Sequence, residues 1–268
     1  MFQITILFLY IIAAACFALS RLPGLSESEG VLRAVAFISA ATGLVWHTFV
    51  LWSLLVFPGG IGLSLGNTAS FIGAQLALIA VIGAVEARLR GLSAGLLLLG
   101  AFAAAFTNFA HTGQSGDPVS WQMRAHILIS LFAYGLLSVG AIVALFALVQ
   151  DRRLSRAQLA PSNRLFAPLE TNERLLNGIA TGGFVVLLVA VFSGFSFVED
   201  LFAQHLVHKT ALSLLALLLF GVLLAGRRFA GWRGRRAVYL YLGGFAVLCL
   251  AYFGSRFILE NVLGRSWG

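Results

Sequence analysis

Four of the chain's five histidines, His111, His126, His205 and His208, fall where long apolar runs begin or end, and the fifth, His47, lies deep inside one. Trp121, Arg124 and Lys209, the single lysine, crowd the same run ends. Imidazole ligates metals, carries protons, or presents a polar tip to a wet boundary. His205 and His208 are three residues apart, so a helix would place them on one face. His47 is a different case. An ionisable group at membrane depth is expensive and points to function, with hydrogen bonding between helices as the alternative.

Histidines, aromatics and a few cations at one level, with few carboxylates, suit some metal chemistries better than others. Asp117, Glu199, Asp200 and Glu260 are the acidic residues expected near that level. Zinc or copper transport calls for more ligands inside the membrane, so a metal or ion transporter is disfavoured. Haem fits better: its iron takes axial imidazoles, its rim takes apolar and aromatic walls, and its propionates take Arg or Lys. Cys16 and Cys249 form no C-x-x-C pair and no C-x-x-C-H, so covalent haem attachment is not expected. G-x-S-x-G, G-x-x-x-x-G-K-[ST] and H-E-x-x-H are absent, and no enzyme is expected.

The elements that must position these residues follow from composition. The chain has 268 residues, 60% hydrophobic and 10% charged, with a mean hydropathy of +0.95. Apolar runs occupy about 2–20, 31–57, 67–86, 91–110, 125–149, 175–197, 205–225 and 236–258. Their length and lack of alternation predict an all-α polytopic membrane protein of eight transmembrane helices. The lipid bilayer is therefore its first partner. The net charge of +8 serves loops and headgroups, and nucleic acid is not expected as a partner.

Arginine placement gives orientation. The odd-numbered connections and their flanks hold 14 of the 18 Lys and Arg residues, leaving Arg124, Lys209, Arg256 and Arg265 on the other face. The positive-inside rule then puts both termini in the periplasm and the arginine-rich connections in the cytoplasm. Residues 150–174 read as a solvated cytoplasmic loop with a short interfacial helix inside one membrane domain spanning 1–268. "GRRFAGWRGRR", 226–236, reads as a tight cytoplasmic turn anchored by Trp232.

"GWRGRRAVYLYLGGFAVLCLAYFGSR" (231–256) and "HILISLFAYGLLSVGAIVALFALVQDRRL" (126–154) closely resemble segments of the cytochrome c assembly protein family, the CcsA/CcmC-type haem-handling membrane proteins. The length and helix count resemble its small YpjD- or HemX-like branch. The resemblance implies a multi-pass protein of the bacterial inner membrane that binds haem b non-covalently and assists cytochrome c assembly, with haem and other assembly proteins as partners. A haem-free regulatory or scaffolding protein of the HemX type is the alternative.

Carried over position by position, the resemblance makes His126 the first outer-face haem ligand and His47 the first intramembrane histidine. Ala225 stands where the second intramembrane histidine is expected, and "SRFILENVLGRSWG" carries no second outer-face histidine. The Trp-rich outer segment is reduced to "FAQHLVHKTALS", where Lys209 is retained. Each histidine pair has thus lost one member. His208, before His205, becomes the expected iron partner of His126, with Lys209, Arg124 and Trp121 around the haem.

Overall fold

The computed structural model describes residues 2–55, 65–107, 120–155, 168–197 and 207–254. Eight helices follow one another: α1 (Phe2–Leu19), α2 (Glu29–Leu55), α3 (Leu65–Gly83), α4 (Arg90–Ala105), α5 (Trp121–Ser155), α6 (Leu169–Phe197), α7 (Val207–Phe229) and α8 (Gly234–Cys249). Among the described residues all eight are long and apolar enough to cross a membrane, α8 together with the π-helical turn Leu250–Gly254.

The described residues fall into two units. The first contains α1 to α4, with α5 from Leu145 onward and the opening of α6. Ile6, Tyr10, Ala13 and Phe17 bury one face of α1 at helical spacing. Small residues let α3 and α4 approach closely, as helices in lipid require. A Cβ added at Gly73 would stand 2.6 Å from Ala103 Cβ, and one at Gly100 2.9 Å from the Gly73 carbonyl oxygen.

The second unit contains α5 up to Ala144, α6 from Leu176, and α7 and α8. Tyr241 of α8 lies against Gly140 of α5, where any Cβ would overlap its phenol, and its hydroxyl donates to the Leu137 carbonyl at 3.0 Å. Tyr134 donates to the Leu248 carbonyl at 2.7 Å. Two tyrosines thus satisfy their hydroxyls on backbone while tying α5 to α8.

The expected loop at 150–174 is shorter than its composition suggested. Helix α5 continues through Asp151, Arg152 and Arg153 to Ser155, and α6 opens at Leu169 directly after Pro168. Charge ends an apolar run without ending a helix. Arginines in the last turn of α5 and Glu170 in the first turn of α6 both complement the helix dipole. Asn172 donates to Gln150 at 3.0 Å and Arg174 meets Glu170 at 2.6 Å, so the helix ends carry their own polar contacts. The centre of that connection, 156–167, lies outside the described residues.

The "GWRG" turn has a definite geometry. Gly231 and Gly234 have φ of 65° and 59°, the left-handed region that costs other residues about 1–2 kcal/mol. The Ala230 and Trp232 amides both donate to the Gly226 carbonyl, at 3.0 and 3.1 Å. That bend folds the Trp232 ring onto Gly226, where a Cβ would collide with it. The Arg236 guanidinium stacks 4.0 Å from the Trp232 ring centre. The glycines set the bend, the tryptophan seals it, and Arg236 covers the tryptophan.

Candidate functional site

In the first unit, His47 is completely buried. Its position, eight residues before the end of α2, puts it roughly 12 Å inside the helix end. Nδ1 lies 3.2 Å from the Tyr10 hydroxyl of α1, and Nε2 lies 2.8 Å from Ser70 Oγ of α3. Ser70 Oγ is 2.7 Å from Thr107 Oγ1, which donates to the Ala104 carbonyl at 2.7 Å. Gln3 donates to the Thr107 carbonyl. A connected polar chain therefore joins α1, α2, α3 and the end of α4, with Tyr10, His47, Ser70 and Thr107 almost wholly enclosed and Gln3 half-buried.

Both ring nitrogens of His47 are engaged, and the ring has no exposed face. Iron requires a free imidazole nitrogen, and a macrocycle requires open wall beside it. The His47 environment does not fit a haem ligand; it fits helix–helix hydrogen bonding, in which every buried polar atom finds a partner. Ser70, Thr107, Tyr10 and Gln3 were not singled out from sequence. A histidine at membrane depth demands partners, and hydroxyl and amide side chains in neighbouring runs were the signal that could have found them.

The second unit holds the other described candidates. His126 sits in the second turn of α5, half-buried, with Nδ1 2.8 Å from Ser193 Oγ of α6. Ser193 also donates to the Ala190 carbonyl at 2.8 Å, so its hydroxyl accepts from the imidazole. The His126 ring lies over Gly194, where a Cβ would come within 3.1 Å of Cε1. Such a hydrogen bond on one ring nitrogen fixes tautomer and orientation and presents the other, Nε2, to a metal. The His126 environment fits an axial ligand.

In the same unit, Trp121 pairs with Phe197 at 6.5 Å between α5 and α6. Lys209 Nζ stands 5.8 Å from the Tyr252 ring centre. Tyr252 packs with Phe253 and Tyr134 at centroid distances of 5.2 and 6.0 Å, an aromatic wall shared by α5 and the end of α8. Arg124 lies half-buried in the first turn of α5. His208 is exposed in the first turn of α7. The fold holds His126 on α6 through Ser193. His205 and His111 lie outside the described residues. Among the described residues no three of His, Cys, Asp and Glu group so as to hold a metal ion.

The sequence profile of the family described as cytochrome C assembly protein matches residues 35–263, which include His47, His126 and the "GWRG" turn. The chain belongs to that family. It is 34% identical over 248 residues to inner membrane protein YpjD of Escherichia coli K12, covering 90% of this chain and 92% of that one. An uncharacterised 28.8 kDa protein of Azospirillum brasilense shares 31% identity over 172 residues, 63% of each chain. Cytochrome c biogenesis protein CcsA of Guillardia theta shares 25% over 165 residues, 55% of this chain and 54% of that one. No solved structure matches. The protein is thus a multi-pass inner-membrane member of the cytochrome c assembly family, with the small YpjD-like branch as its company.

Proposed function

We propose that this protein handles haem for cytochrome c assembly through one non-covalent haem b site in the second unit, with His126 as an axial ligand. The observation that carries the reading is the Ser193 hydroxyl, 2.8 Å from His126 Nδ1. It orients the ring as an outer partner orients a metal-bound imidazole. The aromatic group of Tyr134, Tyr252 and Phe253 offers apolar wall in the same unit. Lys209 and Arg124 supply the cations a propionate needs, each charge-assisted bond contributing about 1.5–3 kcal/mol when partly desolvated. His208 remains the proposed second ligand, reached from the exposed first turn of α7. The carboxylate-poor face and the arginine bias support a site on the periplasmic side.

A second reading has its own support. The enclosed His47 fits no haem, so one of the two family histidine classes is structural in this chain. If the outer site is also without haem, the protein acts as a regulatory or scaffolding member. Absorbance of the detergent-purified protein from haem-replete cells separates the two. The haem reading expects a Soret band that His126→Ala abolishes and His111→Ala leaves nearly unchanged. A full band in the His126 variant overturns the ligand assignment, and no band in the parent protein selects the scaffold.

A further inference from the structure

We propose that Tyr252, carried on the π-helical turn that follows α8, is a positioning residue of the candidate site: its ring seats the Lys209 ammonium for a haem propionate. The inference rests on the haem reading above and adds to it the residue that makes the site select the charged end of its ligand.

A lysine by itself holds an anion loosely, because its point charge sits on a flexible stem rich in rotamer entropy. Lys209 Nζ lies over the Tyr252 ring, 5.8 Å from its centre. Cation–π attraction at such a distance holds a charge over a ring face. Tyr252 is itself held in place. Phe253 meets it edge-on at 5.2 Å, and Tyr134 of α5 lies 6.0 Å away. The backbone beneath is the π-helical Leu250–Gly254, a kind of turn that recurs at functional sites. Just before the α-helix gives way to it, the Leu248 carbonyl accepts from the Tyr134 hydroxyl at 2.7 Å. Tyr134 thus pins the start of the turn and buttresses the ring that the turn presents.

The level of the ring is close to that of His126. Tyr241 bonds to Leu137 and Leu248 to Tyr134, so α8 runs antiparallel to α5. Continuing outward, Tyr252 lies four residues past Leu248 and His126 eight before Tyr134, which separates their levels by roughly 6 Å. That is less than the width of a porphyrin. Most of α5 from Leu131 to Ala144 is buried, whereas no residue from Trp121 to Ser130 is, so the packing opens at this level. An iron on His126 and a propionate on Lys209 fall, in level, within the span of one haem. Arg124 is the other candidate cation, and the test separates the two.

The test titrates full-length protein, purified in detergent from haem-starved cells, with haem b and with haem b dimethyl ester, whose propionates carry no charge. The Soret band reads both. The parent should bind haem roughly 10-fold or more tightly than the ester. Tyr252→Leu should weaken haem binding roughly 2- to 10-fold and leave the ester unchanged, while Tyr252→Phe, which keeps the ring, should match the parent. Lys209→Met should lose the preference for haem, and Tyr252→Leu added to it should then cost nothing further. Equal weakening of haem and ester by Tyr252→Leu, or parent-like haem binding in that variant, overturns the proposal and leaves the haem reading standing. A parent that binds neither compound overturns the haem reading and this proposal together. If Tyr252→Leu does not accumulate, Lys209→Met decides, since a retained preference for haem would show that the charge seated on Tyr252 does not hold the propionate.

Discussion

His47 Nε2 lies 2.8 Å from Ser70 Oγ, joining α2 to α3 through two side chains with no solvent exposure. With Tyr10 on the other nitrogen, the imidazole is the central link of a chain running through four helices. A buried polar group is worth little while satisfied and costs much when orphaned, because no water reaches it.

His47→Ala should therefore destabilise the first unit. The buried Tyr10 hydroxyl would lose its partner, at about 1–3 kcal/mol, while Ser70 would keep Thr107, besides the vacated volume. Thermal unfolding in detergent should show it, with Ser70→Ala destabilising as well, because it leaves the buried His47 Nε2 without its partner while Thr107 keeps the Ala104 carbonyl. If haem is bound, the Soret band of folded His47→Ala should equal the parent's. A selective loss of haem at unchanged melting temperature would show that the residue is a ligand after all.

Ser193→Ala probes the outer site without removing the ligand. Losing an outer-shell partner typically weakens metal binding 10- to 100-fold, so haem titration should show affinity falling while the ligand itself is retained. Gly194→Ala should act in the same direction by pressing on Cε1, which would lie 3.1 Å from the new methyl. Parent-like affinity in both variants would remove Ser193 and Gly194 from the site.

The Glu29–Arg90 pair should be asymmetric. The Arg90 side chain is 6% exposed and that of Glu29 45%. Glu29→Gln leaves a buried guanidinium short of its counter-charge, whereas Arg90→Met leaves a carboxylate that water can reach. Removing one partner of a fully buried pair costs about 3–5 kcal/mol; the half-exposed Glu29 brings this below that range. Melting curves should rank Glu29→Gln as the more damaging substitution, and the reverse order would mean that packing of the Arg90 stem dominates.

At the "GWRG" turn, Gly226→Ala should lower membrane abundance, because its methyl would occupy the Trp232 ring. Gly226→Ala combined with Trp232→Ala should recover much of that loss. Quantitative immunoblotting of membranes reads both. Normal accumulation of Gly226→Ala would show that the ring is free to leave its seat.

Orientation is open to a direct check. A C-terminal reporter active only in the periplasm should be on, and one fused after Arg88 should be off, from the split of 14 against 4 basic residues. The opposite pattern would invert every assignment of a face.

Eight helices were legible in the sequence because burial in lipid imposes length and apolarity on each span separately. The "GWRG" turn was legible as a turn for a similar local reason, since paired glycines mark backbone that other residues strain to adopt. His126 and His47 were both visible as candidates, but their different environments were not. Ser70 and Tyr10 lie 23 and 37 residues from His47 in sequence, and Ser193 lies 67 from His126. Periodicity reports a residue's own helix and says nothing of which side chain faces it from the next. Packing of α1 to α4 decided that one imidazole is enclosed with both nitrogens engaged. Packing of α6 on α5 decided that the other is held by one nitrogen and half-buried. Arg90 shows the same division: its charge suited a basic turn, and only the approach of α2 turned it into a buried partner of Glu29.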